Sequence, residues 1–126
     1  MSAKRILIID DESDIREVAQ MSLETVSGWQ VLTAESGDEG IIKAKQEKPD
    51  AILLDAMMPS MDGPATFQKL QADPSTQQIP VIMFTAKVQA ADRKRFADLG
   101  VKDVIAKRFD PMKLGSQIAA ILGWSQ

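Results

Sequence analysis

Five short apolar runs punctuate the chain: Ile6 to Ile9, Val31 to Ala34, Ala51 to Leu54, Val81 to Phe84, and Val104 to Ala106 following Val101. Between them lie segments of about ten to fifteen residues whose apolar positions recur at helical spacing. Examples of that helical spacing are Ile15, Val18, Ala19, the small Ser22 and Val26, or Leu114, Ile118, Ile121 and Leu122. The runs are of strand length, and every gap is long enough for a helix. Strict alternation of the two points to a parallel sheet covered by helices on both faces. A strand buried on both faces has no polar side to show, which explains why Ala51-Ile-Leu-Leu54 is apolar throughout. The expected fold is α/β, a doubly wound (βα)5 unit with five parallel strands.

Boundary signals agree. Ser36-Gly-Asp-Glu39 has the form of a capping box, Gly63-Pro64 puts proline in a first helical turn, and Asp110-Pro111 pairs an N-cap acid with proline at N1. Gly28, Pro49, Asp73-Pro74, Pro80 and Gly100 fall where helices stop or strands begin. Ala72 to Gln78 is the one long polar loop, no repeat or low-complexity tract interrupts the pattern, and residues 1–126 read as one domain. At that length a single core buries roughly two thirds of the unfolded surface.

Composition removes several function classes. Lys plus Arg number 15 against 18 Asp plus Glu, a net charge of -3, which lacks the basic excess that phosphate-backbone binding needs. Nucleic acid is not an expected partner. With neither cysteine nor histidine, disulfides, zinc sites built on those residues and His-based triads fall away. The apolar run behind Met1-Ser-Ala-Lys-Arg5 is too short for a signal peptide, and no run approaches the ~18 residues of a membrane span. A soluble, cytoplasmic protein without membrane contact is expected.

In a doubly wound sheet, ligands bind beyond the carboxyl ends of the strands, where strand order reverses. The first strand ends in Asp10-Asp11-Glu12, the third in Asp55, the fourth in Thr85 and the fifth in Lys107. In the flavodoxin-like order 2-1-3-4-5 the first and third strands are neighbours, so Asp10, Asp11 and Asp55 come together. Carboxylates 4 Å apart repel by about 4 kcal/mol per pair at an effective dielectric near 20. A hard divalent cation held by oxygens relieves that repulsion, and Mg²⁺ with two or three carboxylates and several waters is the usual form. Lys107 supplies a second, movable positive charge. Taken singly, these residues have plainer readings: Lys107 as a solvated lysine, Thr85 as a strand-ending β-former, Glu12 and Asp14 as turn or cap acids. The combination carries the signal.

The chain resembles the receiver domain of two-component response regulators over essentially its whole length. The resemblance rests on Ile9-Asp10-Asp11-Glu12, Asp55-Ala-Met-Met-Pro-Ser-Met-Asp-Gly63, Thr85-Ala86, Leu99-Gly100 and Lys107. It implies that Asp55 is the phosphoacceptor, a carboxylate nucleophile that forms an acyl phosphate. It also implies Mg²⁺, or Mn²⁺ in its place, held by Asp11, Asp55 and the backbone carbonyl of Met57, with Asp10 acting mostly through a metal-bound water. Lys107 would pair with the phosphoryl oxygens and Thr85 would donate its hydroxyl to one of them, so the chemistry is positioning and charge neutralisation. Ala86 is small so that a phosphodonor can reach Asp55. Met57 and Lys87 tune water attack on the acyl phosphate, while Met58 and Met61 are read as packing residues. In the family the threonine moves toward the added charge, and the surface of the fourth helix, fifth strand and fifth helix shifts between two states.

Two positions depart from the family pattern. Val104 stands where an aromatic residue usually swings inward as the threonine moves, and Arg108 stands where proline, often after a cis bond, usually follows the lysine. A cis bond before a non-proline residue costs about 2.5 to 4 kcal/mol, so the Lys107-Arg108 bond is expected to be trans with altered loop geometry or cis with unusual support. Val104 and Arg108 together predict a specialised or weakened switch, whose positions are Thr85, Ala86, Val104 and Arg108.

The resemblance implies a histidine kinase or histidine phosphotransfer protein as phosphodonor, a downstream protein target, and a monomer or phosphorylation-dependent dimer. No enzymatic activity is expected beyond self-catalysed phosphoryl acceptance and autodephosphorylation. Because the chain ends at Gly123-Trp-Ser-Gln126, soon after the fifth helix, a stand-alone regulator is expected. A phosphorylation-independent interaction module is the alternative. A haloacid dehalogenase-type hydrolase would want an acid where Met57 stands, and a flavodoxin-like electron carrier would want a Ser/Thr/Gly-rich loop after the first strand.

Overall fold

Each apolar run forms a strand, and each gap a helix. The computed structural model describes residues 3–86 and 88–124; Lys87, named above for tuning water attack, lies outside the described residues. The order is β1 (Arg5–Ile9), α1 (Ser13–Thr25), β2 (Gln30–Ala34), α2 (Gly37–Glu47), β3 (Ala51–Asp55), α3 (Gly63–Ala72), β4 (Val81–Thr85), α4 (Ala90–Leu99), β5 (Asp103–Ala106) and α5 (Leu114–Leu122). All strand pairs are parallel, in the expected order β2-β1-β3-β4-β5. The strands outrun the apolar residues, because main-chain pairing does not need an apolar side chain. Asp55 and Thr85 are therefore the last residues of β3 and β4 rather than loop residues.

Alternation along the strands divides the core into two layers. Leu7, Ile9, Ile52, Leu54, Val81, Met83 and Val104 face Phe67 and Leu70 of α3 and Phe96 of α4. Ile6, Ile8, Leu53, Ile82, Phe84 and Ile105 face Ala19 and Leu23 of α1 and Leu114 and Ile118 of α5. Both faces of the central strands are covered, so β1, β3 and β4 are almost uniformly buried.

Local chemistry sets the helix entries. The Glu39 N–H donates to Ser36 Oγ at 3.2 Å, while Glu39 Oε1 accepts from the N–H of Glu35, one residue before the N-cap, at 2.7 Å. Asp62 caps α3 by accepting from the Ala65 N–H at 2.9 Å. Asp110 does not cap α5 as the sequence suggests. Its carboxylate accepts from the Met112 N–H at 2.9 Å and starts a separate turn, and α5 begins only at Leu114 behind Lys113, which gives no side-chain cap. Ser22 of α1 donates its hydroxyl to the Pro111 carbonyl and ties that turn down.

At the opposite edge of the sheet, where the strands begin, Trp29 and Trp124 meet edge to face with ring centroids 5.5 Å apart. The Lys4 ammonium lies 4.6 Å from the Trp124 ring centroid. Among the described residues, no helix is long and apolar enough to cross a membrane.

Candidate functional site

Strand register brings the acids together. Ile9 aligns with Ala34 on one side and Leu54 on the other, and Asp10 continues the first ladder by donating its N–H to the Ala34 carbonyl at 3.0 Å. One step past the Ile9 and Leu54 pair, Asp10 and Asp55 emerge side by side. On the other flank Thr85 aligns with Ala106, and the Lys107 N–H donates to the Thr85 carbonyl at 2.8 Å. Lys107 is thus delivered by one more rung of the sheet.

One carboxylate oxygen from each of Asp10, Asp11, Glu12 and Asp55 lies within 4.8 Å of the other three. Asp10 and Asp55 are buried, at 0% and 1% exposure, whereas Asp11 and Glu12 stand at the lip in solvent. Asp10 Oδ1 accepts from the Glu12 N–H at 2.9 Å, and Asp55 Oδ1 accepts from the Met57 N–H at 3.1 Å. The second oxygen of each acid is different: Asp10 Oδ2 and Asp55 Oδ2 are buried without a hydrogen bond. Each lies 3.2 Å from Lys107 Nζ, in ion-pair contact but out of hydrogen-bond alignment. Buried carboxylate oxygens are rarely left so, and here the unsatisfied pair faces one point. That donor set, hard oxygens around a common centre, fits a hard divalent cation.

Electrostatics follows from the crowding. Burial pushes the Asp55 pKa up to about 7, and the like charge of Asp10 and contact with Asp11 add to the rise against the pull of the Met57 N–H and Lys107. For Lys107 burial works downward, but the carboxylates of Glu12, Asp10 and Asp55 outweigh it and hold the ammonium above its ordinary range. Lys107 stays charged.

Glu12 is more than the cap acid the sequence suggested. It occupies the N-cap of α1 without a side-chain capping bond, and its Oε1 instead takes the shortest contact of Lys107, at 2.5 Å. Arg16 escaped the sequence reading as well. Its guanidinium donates to the Asp10 carbonyl at 2.7 Å and reaches Glu35 at 3.2 Å, bracing the turn after β1. Its position on the first turn and a half of α1, within reach of the strand end, was the available signal.

The remaining candidates are placed as follows. Thr85 is buried at the end of β4, with Ala86 exposed beside it. Met57 projects into solvent at 78% exposure, and Met58 is buried in the core. Val104 is buried in the layer that holds Phe96, and Arg108 is exposed. Among the described residues no peptide bond is cis, so Lys107-Arg108 is trans and the lysine still reaches both buried acids. A cleft of about 700 Å³ opens beside Thr85, between Met57 and Pro59 of the loop after β3 and Arg95 and Phe96 of α4.

Residues 6–119 match the family of the response regulator receiver domain. The chain belongs to that family. This receiver domain is 38% identical over 123 residues to the alkaline phosphatase synthesis transcriptional regulatory protein PhoP of Bacillus subtilis, covering 98% of this chain and 50% of that protein. It spans about half the length of the curated relatives it matches. The chemotaxis protein CheY4 of Vibrio cholerae superposes with a TM-score of 0.88 at 24% identity, covering 95% and 99% of the two chains, a likeness of fold. The receiver domain of the sensor histidine kinase PA1611 of Pseudomonas aeruginosa superposes with a TM-score of 0.84 at 25% identity, covering 97% and 99%, and was solved with a magnesium ion coordinated in its active site cleft.

Proposed function

We propose that this receiver domain accepts a phosphoryl group on Asp55, in a Mg²⁺-dependent step, from a histidine kinase or histidine phosphotransfer protein. One observation carries the reading: two buried carboxylate oxygens, on Asp10 and Asp55, share one ammonium at 3.2 Å and have no hydrogen bond. In the proposed step an Asp55 carboxylate oxygen attacks phosphorus, a P–O bond forms, and the bond to the donor breaks with its electron pair leaving on the donor. Lys107 receives the phosphoryl oxygens, and Thr85 offers its hydroxyl from the neighbouring strand end. Asp11, Asp55 and the Met57 carbonyl would hold the cation, with Asp10 acting through water, and when bound it neutralises charge on the phosphoryl oxygens. Deprotonated Asp55 is the nucleophile, and a cation beside it favours that form.

The domain turns over no other substrate; water attack on its own acyl phosphate resets it. Output is protein contact in the cytoplasm, with the domain monomeric or dimerising on phosphorylation. The absence of a basic excess supports protein rather than nucleic acid as its target. The cleft beside Thr85 leaves α4 room to move, and Val104, already buried and β-branched, supports a switch that runs without an aromatic rotor.

The test is incubation with Mg²⁺ and acetyl phosphate followed by intact-mass measurement, alongside Asp55→Asn. A single phosphoryl adduct, lost in the variant and without Mg²⁺, is expected. No adduct under any condition would instead favour a phosphorylation-independent interaction module.

A further inference from the structure

We propose that Glu12 is a positioning residue that competes with the phosphoryl group for Lys107, so that loading the site requires the lysine to leave Glu12. The inference rests on reading Asp55 as phosphoacceptor. Three carboxylates face Lys107 Nζ, and they are not equivalent. Glu12 Oε1 accepts a hydrogen bond from it at 2.5 Å and Asp10 Oδ1 a much longer one at 3.4 Å, while Asp10 Oδ2 and Asp55 Oδ2 lie at 3.2 Å without hydrogen-bond geometry. The ammonium is therefore drawn toward the lip of the site.

Burial separates the partners further. The Asp10 and Asp55 side chains are 0% and 2% exposed and fixed at strand ends, whereas the Glu12 side chain is 56% exposed. Glu12 is free of any capping bond, so nothing else in its helix holds it in place. A phosphoryl group brings about -1.5 to -2 charge and three acceptor oxygens, which attract the ammonium and repel the Glu12 carboxylate. An ammonium has only three N–H donors. Glu12 can swing into water with little loss of solvation, while the two buried acids cannot. It is the one partner built to yield, and its hold on Lys107 lowers the affinity of the site for a phosphoryl group.

The experiment titrates beryllium fluoride, a phosphoryl mimic, into wild type, Glu12→Gln and Glu12→Asp at saturating Mg²⁺, followed by fluorine NMR. Proton exchange of the Lys107 ammonium is measured on the mimic-free proteins, and Mg²⁺ affinity is measured separately. Glu12→Gln should bind the mimic about threefold to tenfold tighter, the range set by one partly exposed charge pair. Its Lys107 ammonium should exchange faster, and Glu12→Asp should stay near wild type in both. Equal or weaker mimic binding by Glu12→Gln overturns the proposal, and a parallel loss of Mg²⁺ affinity would assign Glu12 to the cation instead. A wild-type protein that fails to bind the mimic at all overturns the phosphoacceptor reading beneath it.

Discussion

The main chain of Gly63 passes so close to Asp55 that a Cβ on the glycine would sit 2.5 Å from the Asp55 carbonyl oxygen. The same atom would lie 2.7 Å from the Ala56 Cα, and the Gly63 N–H donates to the Ala56 carbonyl at 3.0 Å. The first turn of α3 is thus pressed against the backbone that carries Asp55.

Gly63→Ala should therefore be costly, since both obstructing atoms are main chain and cannot rotate aside. The expected loss is about 1–3 kcal/mol, read as a lower urea midpoint. Wild-type stability in this variant would show that α3 can slide back and that the contact does not constrain the loop.

A second prediction concerns pH in metal-free protein. The folded chain holds the Asp55 proton up to about pH 7, against an ordinary value of 3.8, so over that window it binds more protons than the unfolded chain. Stability contributed by this group is then full at acid pH and falls as pH rises from about 4 to 7. Asp55→Asn should remove that fall and make the protein more stable than wild type above pH 7 in EDTA. Parallel stability profiles for the two proteins across pH 4 to 8 would contradict it.

A third concerns Ser60, in the loop between Asp55 and α3. Its φ is +71°, and the Met61 N–H donates to the Pro59 carbonyl at 2.8 Å, a γ-turn of the hand that L-residues find strained. Ser60→Gly relieves strain on the order of 1–2 kcal/mol but adds unfolded-state freedom, leaving a gain of up to about 1 kcal/mol. Urea unfolding should show a higher midpoint at unchanged slope; a lower midpoint would mean that the turn is not strained.

Much of this was legible from residues alone, and the limits have physical causes. Uninterrupted apolar runs such as Ala51 to Leu54 announce buried parallel strands, and acids that end such runs must gather at one sheet edge. Asp10 and Asp55 were visible for that reason. Asp110-Pro111 misled because an Asx turn and an N-cap use the same residues, and only the hydrogen bond to the Met112 N–H separates them. The pairing of Glu12 with Lys107 spans 95 residues and depends on which way an uncapped glutamate turns, which no local pattern records. The Lys107-Arg108 bond left two geometries open, and the extra rung to Thr85 shows how the trans form still delivers the lysine.

The tryptophan pair at the far edge of the sheet bears on how this protein can be watched. Trp29 and Trp124 are its only tryptophans, it has no tyrosine, and both indoles sit where the strands begin. Intrinsic fluorescence is therefore a reporter of whether the polypeptide is folded, and a nearly silent one for chemistry at Asp55, so a signal from the site needs a probe placed near it, with exposed Met57 the natural anchorage.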